Sequence, residues 1–295
     1  MIPAVCFRPA PGRSCGRDRR TRATCPRASA RSASGRRRFA RPSTGRCAPS
    51  SRSCWPSGQK RPAGGVPRYR LSLGVRAVGL RGDTLCGDCG TSFQCGVTQY
   101  VLLCDGMGTG SGAQSDAQEA ISVLQSLLTL GFDAMDAAAM LNELYVLRGD
   151  GCFSTVDLLE MDLCTGEGAL YKWGAAPSYL KKGGTVKKIG TASPPPGLGV
   201  GEEHRAERVG LSLQRGEQLV LTTDGIPEAA CEQYLRACGP LSPRELAAGV
   251  VACASESEPD DRTAVIVQLD PASMQPHHTT RRARSVSKSG VEPHI

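Results

Sequence analysis

At 295 residues, the chain is long enough for one large domain or two small ones, and its charge is unevenly distributed. Residues 1–70 hold 18 of the 36 Lys and Arg side chains but only one of the 28 acidic ones, so this part carries a net charge of +17 and the remainder −9. The overall charge of +8 therefore does not indicate that the main part of the chain binds nucleic acid. No run reaches the roughly 18 apolar residues of a membrane span, and residues 1–30 lack a secretory pattern. We therefore expect a cytoplasmic protein whose cysteines are reduced.

Residues 1–65 are rich in Arg, Ser, Pro and Gly and show no helical or strand periodicity, which predicts a disordered basic segment. It could be an arm that binds anionic surfaces, a transit-like peptide, or sequence that is not genuinely translated. We favour the last, and we expect no peptide from residues 10–60 in the native protein. Met107 is the next methionine after Met1, so another start would need a different codon or an upstream frame. The predicted folded domain is 66–272, and 273–295 is a predicted flexible tail.

From Arg68 onward, strands and helices alternate in blocks. The pattern predicts, in order, a strand at 69–78, a turn region at 82–89, a buried strand at 97–104, a flexible loop at 106–112, helices at 113–130 and 132–147, strands at 153–163, 167–174, 177–182 and 185–190, a loop at 194–201, strands at 208–213 and 218–223, two short helices, and a last strand at 263–269. Asp133 is a predicted N-cap, and Ser242-Pro-Arg-Glu245 predicts a capping box. Helices that lie between runs of hairpin-linked strands indicate an α+β fold with antiparallel sheets.

Two of the buried strands end in Asp-Gly, at Asp105-Gly106 and Asp224-Gly225, and the acidic pair Asp260-Asp261 precedes the last strand. Strands in one core can bring carboxylates from distant parts of the sequence to a single point, where they repel unless a divalent cation lies between them. Glycine after each aspartate permits a sharp turn and a close approach to an ion or substrate. The pattern therefore predicts a Mg²⁺ or Mn²⁺ site, although a single Asp-Gly is equally typical of an ordinary turn.

These residues resemble a known family. Its motifs match, in order, Gly87-Asp88, Asp105-Gly-Met-Gly-Thr-Gly110, Phe153-Ser-Thr-Val-Asp157, Thr223-Asp-Gly225 and Asp260-Asp-Arg-Thr263. The family is that of the PPM/PP2C-type metal-dependent protein phosphatases, and within it the chain is most similar to the catalytic domain of the stage II sporulation protein E branch. The resemblance covers about residues 69–270, and Trp173-Gly-Ala-Ala-Pro-Ser178 adds to it.

The resemblance implies an α-β-β-α sandwich of two antiparallel sheets flanked by helices. It also implies hydrolysis of phosphoserine or phosphothreonine on a regulatory protein of the anti-sigma-factor antagonist type, with two Mn²⁺ or Mg²⁺ ions. By the same resemblance, Asp105, the Gly106 carbonyl, Asp224 and Asp260 would hold the metals. Asp88, with Asp105 and Asp224, would be catalytic by holding metal-bound water or a ligand.

Some residues depart from the family pattern, and others fit an ordinary structural role. Asp261 stands where many relatives have Asn, so we expect Asp260 to be the ligand and keep Asp261 as the alternative. The sequence shows no clear arginine that would bind the phosphate and no clear histidine that would act as a general acid. His204 is expected at the surface. Asp157 and Asp162 alternate with apolar residues and are predicted to lie on a solvated strand face.

Three alternatives to this interpretation have different consequences. Cys86-Gly-Asp-Cys89 with Cys95 and Cys104 is a weak zinc pattern, because a second Cys-x-x-Cys pair is missing. A metal-free phosphatase-like scaffold would be expected to have lost at least one of the three main aspartates. A nucleic-acid-binding protein would act through the basic segment and lose affinity steeply with salt. The sequence makes no prediction for the oligomeric state or the preferred metal.

Overall fold

The computed structural model describes residues 8–9, 65–80, 86–149, 151, 153–190, 193–199, 201, 205–254 and 260–272. Apart from residues 8, 9 and 65, the predicted basic segment 1–65 lies outside the described residues, as do the predicted tail 273–295 and His204. The proposed domain boundaries therefore remain a prediction. No helix in the described part of the chain is long and apolar enough to span a bilayer.

The described residues form two sheets. The first has the order β1-β3-β4-β5-β6-β9, in which only the short pairing of β1 with β3 is parallel. Its strands are β1 (Arg8–Pro9), β3 (Asp88–Cys95), β4 (Thr98–Gly106), β5 (Ser154–Asp162), β6 (Glu167–Trp173) and β9 (Glu207–Ser212). The second sheet is antiparallel throughout and has the order β2-β11-β10-β7-β8. Its strands are β2 (Tyr69–Val78), β7 (Ser178–Lys182), β8 (Thr185–Ile189), β10 (Glu217–Thr222) and β11 (Arg262–Pro271).

Helices cover the outer faces of both sheets and produce three apolar layers. Helices α1 (Gly110–Thr129) and α2 (Ala134–Arg148) pack on the first sheet through residues such as Leu124 and Leu141. Helices α3 (Glu228–Ala237) and α4 (Pro243–Ala252) pack on the second sheet. Alternate residues of facing strands, including Leu103, Leu159 and Val265, fill the layer between the sheets. This arrangement confirms the predicted α-β-β-α sandwich.

Several local predictions are confirmed by hydrogen bonds. The Asp133 side chain accepts from the Met135 N–H at the start of α2, at 2.9 Å. At α4, the capping box is complete, with Ser242 and Glu245 satisfying each other's backbone N–H groups. The strands on either side of Lys182-Gly-Gly184 pair as a hairpin. Such caps and turns depend on residues close in sequence, so the sequence specifies them directly.

Two local predictions are wrong. The predicted turn region at 82–89 overlaps β3, which the pattern missed because residues Asp88–Thr91 are all buried and do not alternate. Helix α1 begins at Gly110, three residues earlier than predicted, although glycine is a poor helix former. Its first turn packs directly against Gly106, and this tertiary contact outweighs the propensity.

Candidate metal centre

The predicted acidic residues come from strand ends of both sheets. Asp88 begins β3 and lies directly opposite Asp105 near the end of β4, in the first sheet. In the second sheet, Asp224 follows β10 and Asp260 precedes β11, its neighbour. Asp105 interacts with the charges of Asp88, Asp224 and Asp260, and its carboxyl group shares a hydrogen bond with that of Asp224. The fold thus brings together four carboxylates that lie far apart in the sequence.

Crowding and burial change the electrostatics of this cluster. Burial raises the pKa of Asp105 well above its ordinary value, and the charges of Asp88, Asp224 and Asp260 raise it further. The pKa of Asp260 is also raised, by burial and by the charges of Asp224 and Asp261. Asp105 and Asp260 are half-buried and Asp224 is exposed, so the cluster opens to solvent on one side. Such a cluster favours bound protons or a bound cation.

Asp88 lies at the base of the cluster and is only 2% exposed. Its Oδ2 atom accepts a hydrogen bond of 3.0 Å from the Thr223 hydroxyl, which joins the first sheet to the second. Its Oδ1 atom is buried without a hydrogen-bond partner. Burial raises the pKa of Asp88, hydrogen bonding with Thr263, Thr223 and Asp105 opposes the rise, and the charge of Asp261 adds to it. A buried carboxylate oxygen without a donor is the kind of group that a cation or a metal-bound water would satisfy.

The glycines of both Asp-Gly pairs are needed for close packing. A Cβ atom on Gly106 would lie 1.8 Å from the Ala113 carbonyl oxygen in α1, and one on Gly225 would lie 2.0 Å from the Asp261 carbonyl oxygen. Neither glycine is among those with a positive φ angle. The sharp turn that the sequence suggested is therefore not the reason for these glycines. Each allows another backbone segment to approach the strand that carries an aspartate.

Asp261 has a different environment from its neighbour Asp260. It is 3% exposed, and its two carboxylate oxygens accept hydrogen bonds of 2.6 Å from the backbone N–H groups of Leu80 and Gly87. Its carboxylate thus holds the β2–β3 connection against the start of β11. This geometry leaves Asp260 as the member of the pair that faces Asp224 and Asp105.

The structure corrects the prediction for Asp157, which is not on a solvated face. It is 1% exposed and forms an ion pair of 2.5 Å with Lys172 on β6. Asp162 is half-buried and accepts from the Cys164 N–H in the following turn. Sequence reasoning also missed Lys172, and it named Thr223 only as part of a motif, without its hydrogen bond to Asp88. The sequence could have indicated this pair. Asp157 and Lys172 have opposite charges and lie two positions from Leu159 and Leu170 on consecutive strands, so they point to the same buried face as these leucines.

The cysteines of the weak zinc pattern do not form a metal site among the described residues. The eight cysteines that the structure describes are all free. Cys89 and Cys104 lie in the apolar layer under α1, on the opposite face of the sheet from the carboxylates. A cavity of about 700 Å³ near Cys95, Phe132 and Glu160 lies at the far end of the first sheet and contains none of the clustered aspartates.

The donor set of the cluster fits a hard divalent cation. Carboxylate and carbonyl oxygens are the ligands that Mg²⁺ and Mn²⁺ prefer, and Asp88 offers a buried oxygen without a partner. Among the described residues, however, no three Asp, Glu, His or Cys side chains are already placed to hold a metal ion. Binding a cation would therefore require the carboxylates around Asp105 to move closer to one another.

Comparisons with known proteins identify relatives of this chain. Residues 97–270 match the family model described as Stage II sporulation protein E. The chain is 29% identical over 222 residues to stage II sporulation protein E of Bacillus subtilis, which covers 70% of this chain and 27% of that protein. The chain thus spans about a quarter of the length of the curated relatives it matches.

Two solved structures show the same fold. The PP2C phosphatase domain of SpoIIE from Bacillus subtilis, solved with a fragment of its regulatory domain, has a TM-score of 0.63 and 28% identity, covering 70% of this chain and 63% of that one. RsbX in complex with magnesium has a TM-score of 0.55 and 15% identity, covering 68% and 96%, and supports the fold alone.

Proposed function

Because the chain belongs to the stage II sporulation protein E family and has a PP2C-type serine/threonine phosphatase domain, we propose that it hydrolyses phosphoserine or phosphothreonine on a protein with the help of divalent metal ions. One observation carries the proposal: aspartates from both sheets lie around Asp105, and burial together with their charges raises its pKa. Proteins keep such repulsive clusters mainly at functional sites.

In this proposal, Asp105, the Gly106 carbonyl, Asp224 and Asp260 hold two Mn²⁺ or Mg²⁺ ions. When bound, the two ions lower the pKa of a water molecule and neutralise the phosphoryl oxygens. Phosphomonoester hydrolysis is very slow in water, so a large reduction of the barrier is needed. The thiols have no role in this chemistry, since no covalent nucleophile is required.

The described residues would orient the reacting groups. Asp88 would hold a metal-bound water or ligand through its Oδ1 atom, because its other oxygen is fixed by Thr223. Asp261 would act only on the framework, since both of its oxygens already accept backbone hydrogen bonds. Thr155 lies opposite Asp105 in the β4–β5 register and is half-buried at the edge of the site.

For the substrate, the family relationship supports a phosphorylated regulatory protein of the anti-sigma-factor antagonist type. The relatives carry the name of a sporulation protein, and this chain spans only part of their length. We therefore propose this class of substrate for the domain. Phosphoserine is the first modified residue to test.

The experiment is a phosphatase assay of the full chain on a phosphoserine peptide, with and without Mn²⁺, beside Asp105→Asn and Asp224→Asn. Turnover that depends on Mn²⁺ and falls at least about 100-fold in both variants is the expected result. Glu143→Gln, on the exposed face of α2, is the control and should retain full activity. Absence of both turnover and Mn²⁺ binding in the unmodified chain would refute the proposal and favour a metal-free scaffold.

A further inference from the structure

The carboxylate cluster depends on how the two sheets are placed relative to each other. Asp88 and Asp105 belong to the first sheet, while Asp224 and Asp260 flank strands of the second. The chain crosses between the sheets at residues 174–177, which connect β6 to β7. Contacts that fix this crossover therefore also affect the distance between the aspartates of the first sheet and those of the second.

A buried lysine holds the crossover. Lys172, at 0% exposure, donates three hydrogen bonds from its ammonium group: to Asp157 Oδ1 at 2.5 Å, to the Ala176 carbonyl at 2.8 Å and to Ser178 Oγ at 2.8 Å. Asp157 belongs to the first sheet and Ser178 begins β7 of the second. The three N–H groups of one side chain thus join a strand of each sheet and the segment between them.

This network extends to the metal-site residues on both sides. In the first sheet, Asp157 lies opposite Leu103, two positions along β4 from Asp105. In the second sheet, the Pro177 carbonyl accepts a hydrogen bond of 2.8 Å from the Thr222 hydroxyl, two residues before Asp224. Lys172 is therefore connected to strands that carry a carboxylate from each half of the cluster.

Stability alone does not account for this ion pair. Taking two charges out of water costs several kcal/mol each, and apolar replacements of similar volume are often neutral or stabilising. The position of Lys172 and Asp157 lies in the layer that Leu103, Leu159 and Leu170 otherwise fill with apolar side chains. An apolar pair there would fill space but could not bind the crossover carbonyl and the Ser178 hydroxyl.

We propose that Lys172 is a positioning residue, oriented by Asp157, that fixes the two sheets at the spacing required for metal binding. The inference rests on the proposed metal-dependent function for its consequence, but the cross-sheet link itself can be tested without metal. Lys172 does not touch the substrate or the metal. It acts through Ser178 and the 174–177 crossover on the end of β10.

Two variants separate the link from ordinary folding. Ser178→Ala removes the acceptor on the second sheet and leaves the ion pair with Asp157 intact. The double variant Lys172→Met with Asp157→Leu removes both charges together, so that no buried charge is left unpaired. Lys181→Met is the matched control, because Lys181 is also buried but donates only to the carbonyl of residue 183 in the β7–β8 turn and to those of residues 235 and 238 at the end of α3.

The first measurement is hydrogen–deuterium exchange of the full chain without metal. Ser178→Ala and the double variant should exchange faster at residues 174–178 and 222–226, whereas Lys181→Met should do so near residues 235–238. The second measurement is Mn²⁺ affinity by calorimetry. The Mn²⁺ Kd should rise roughly tenfold or more in the double variant, several-fold in Ser178→Ala, and remain unchanged in Lys181→Met.

The two hypotheses fail in different ways. If Ser178→Ala and the double variant fold but retain wild-type exchange at both segments, Lys172 has no positioning role. The same conclusion follows if their Mn²⁺ affinity equals that of the unmodified chain. If the unmodified chain binds no Mn²⁺, the proposed function fails, and the exchange comparison still decides whether the link exists.

Discussion

Neutralising an aspartate of the cluster should stabilise the metal-free protein. Asp88 is buried beside other carboxylates, and its pKa is raised from 3.8 to about 7. The folded protein therefore keeps a proton on Asp88 at pH values where the unfolded chain has lost it. Stability is fully present below the unfolded pKa and falls as the pH rises toward the folded pKa. The pKa of Asp105 is also raised, so the loss of stability continues above pH 7.

The magnitude follows from the pKa of Asp88 alone. Each tenfold difference in proton affinity between the folded and unfolded states is worth about 1.4 kcal/mol. Because the folded pKa is about 7, stability is lost over the two pH units from pH 5 to pH 7, within the range from pH 5 to pH 8. The free energy of unfolding in EDTA should therefore fall by about 3 kcal/mol over this range. At pH 8, Asp88→Asn should be about 1–3 kcal/mol more stable than the unmodified chain, because the amide carries no charge.

Urea denaturation of both proteins in EDTA, at pH 5 and pH 8, measures this effect. Added Mn²⁺ should reverse the order at pH 8, since only the unmodified chain keeps the full set of carboxylates. Glu143→Gln, on the exposed face of α2, should differ from the unmodified chain by less than about 0.5 kcal/mol at both pH values. Equal or lower stability of Asp88→Asn at pH 8 without metal would show that burial and the charge of Asp261 do not disfavour the Asp88 carboxylate in the folded state.

Three further changes test the packing around the site. Gly106→Ala would place a Cβ atom 1.8 Å from the Ala113 carbonyl, so we expect a loss of about 2 kcal/mol or more by thermal unfolding, together with weaker Mn²⁺ binding. Asp261→Ala leaves two buried backbone N–H groups without an acceptor and should cost about 2–4 kcal/mol in urea denaturation; an unchanged midpoint would contradict its framework role. Ser242→Ala removes the α4 capping box and should cost about 1 kcal/mol in the same assay, with no change in Mn²⁺ affinity.

Much of the fold could be predicted because its elements depend on nearby residues. The Asp133 cap, the Ser242 capping box and the 182–185 hairpin each involve residues within three positions of one another. The strand β3 could not be predicted in the same way, since it is buried on both faces at its start and shows no alternation. Its assignment depends on pairing with β4, which lies next to it in the sheet.

Apart from β1 and β3, the sequence alone determined the order of the elements and placed Asp105, Asp224 and Asp260 at strand ends, because periodicity and capping are local properties of the chain. Only the tertiary structure decided that Asp260 faces the cluster while Asp261 holds the framework, although the two are adjacent. It also decided that Asp157 is buried, because a charged side chain enters a core only where another strand supplies its partner, here Lys172. Burial and charge pairing are set by residues distant in sequence, which no local pattern reports.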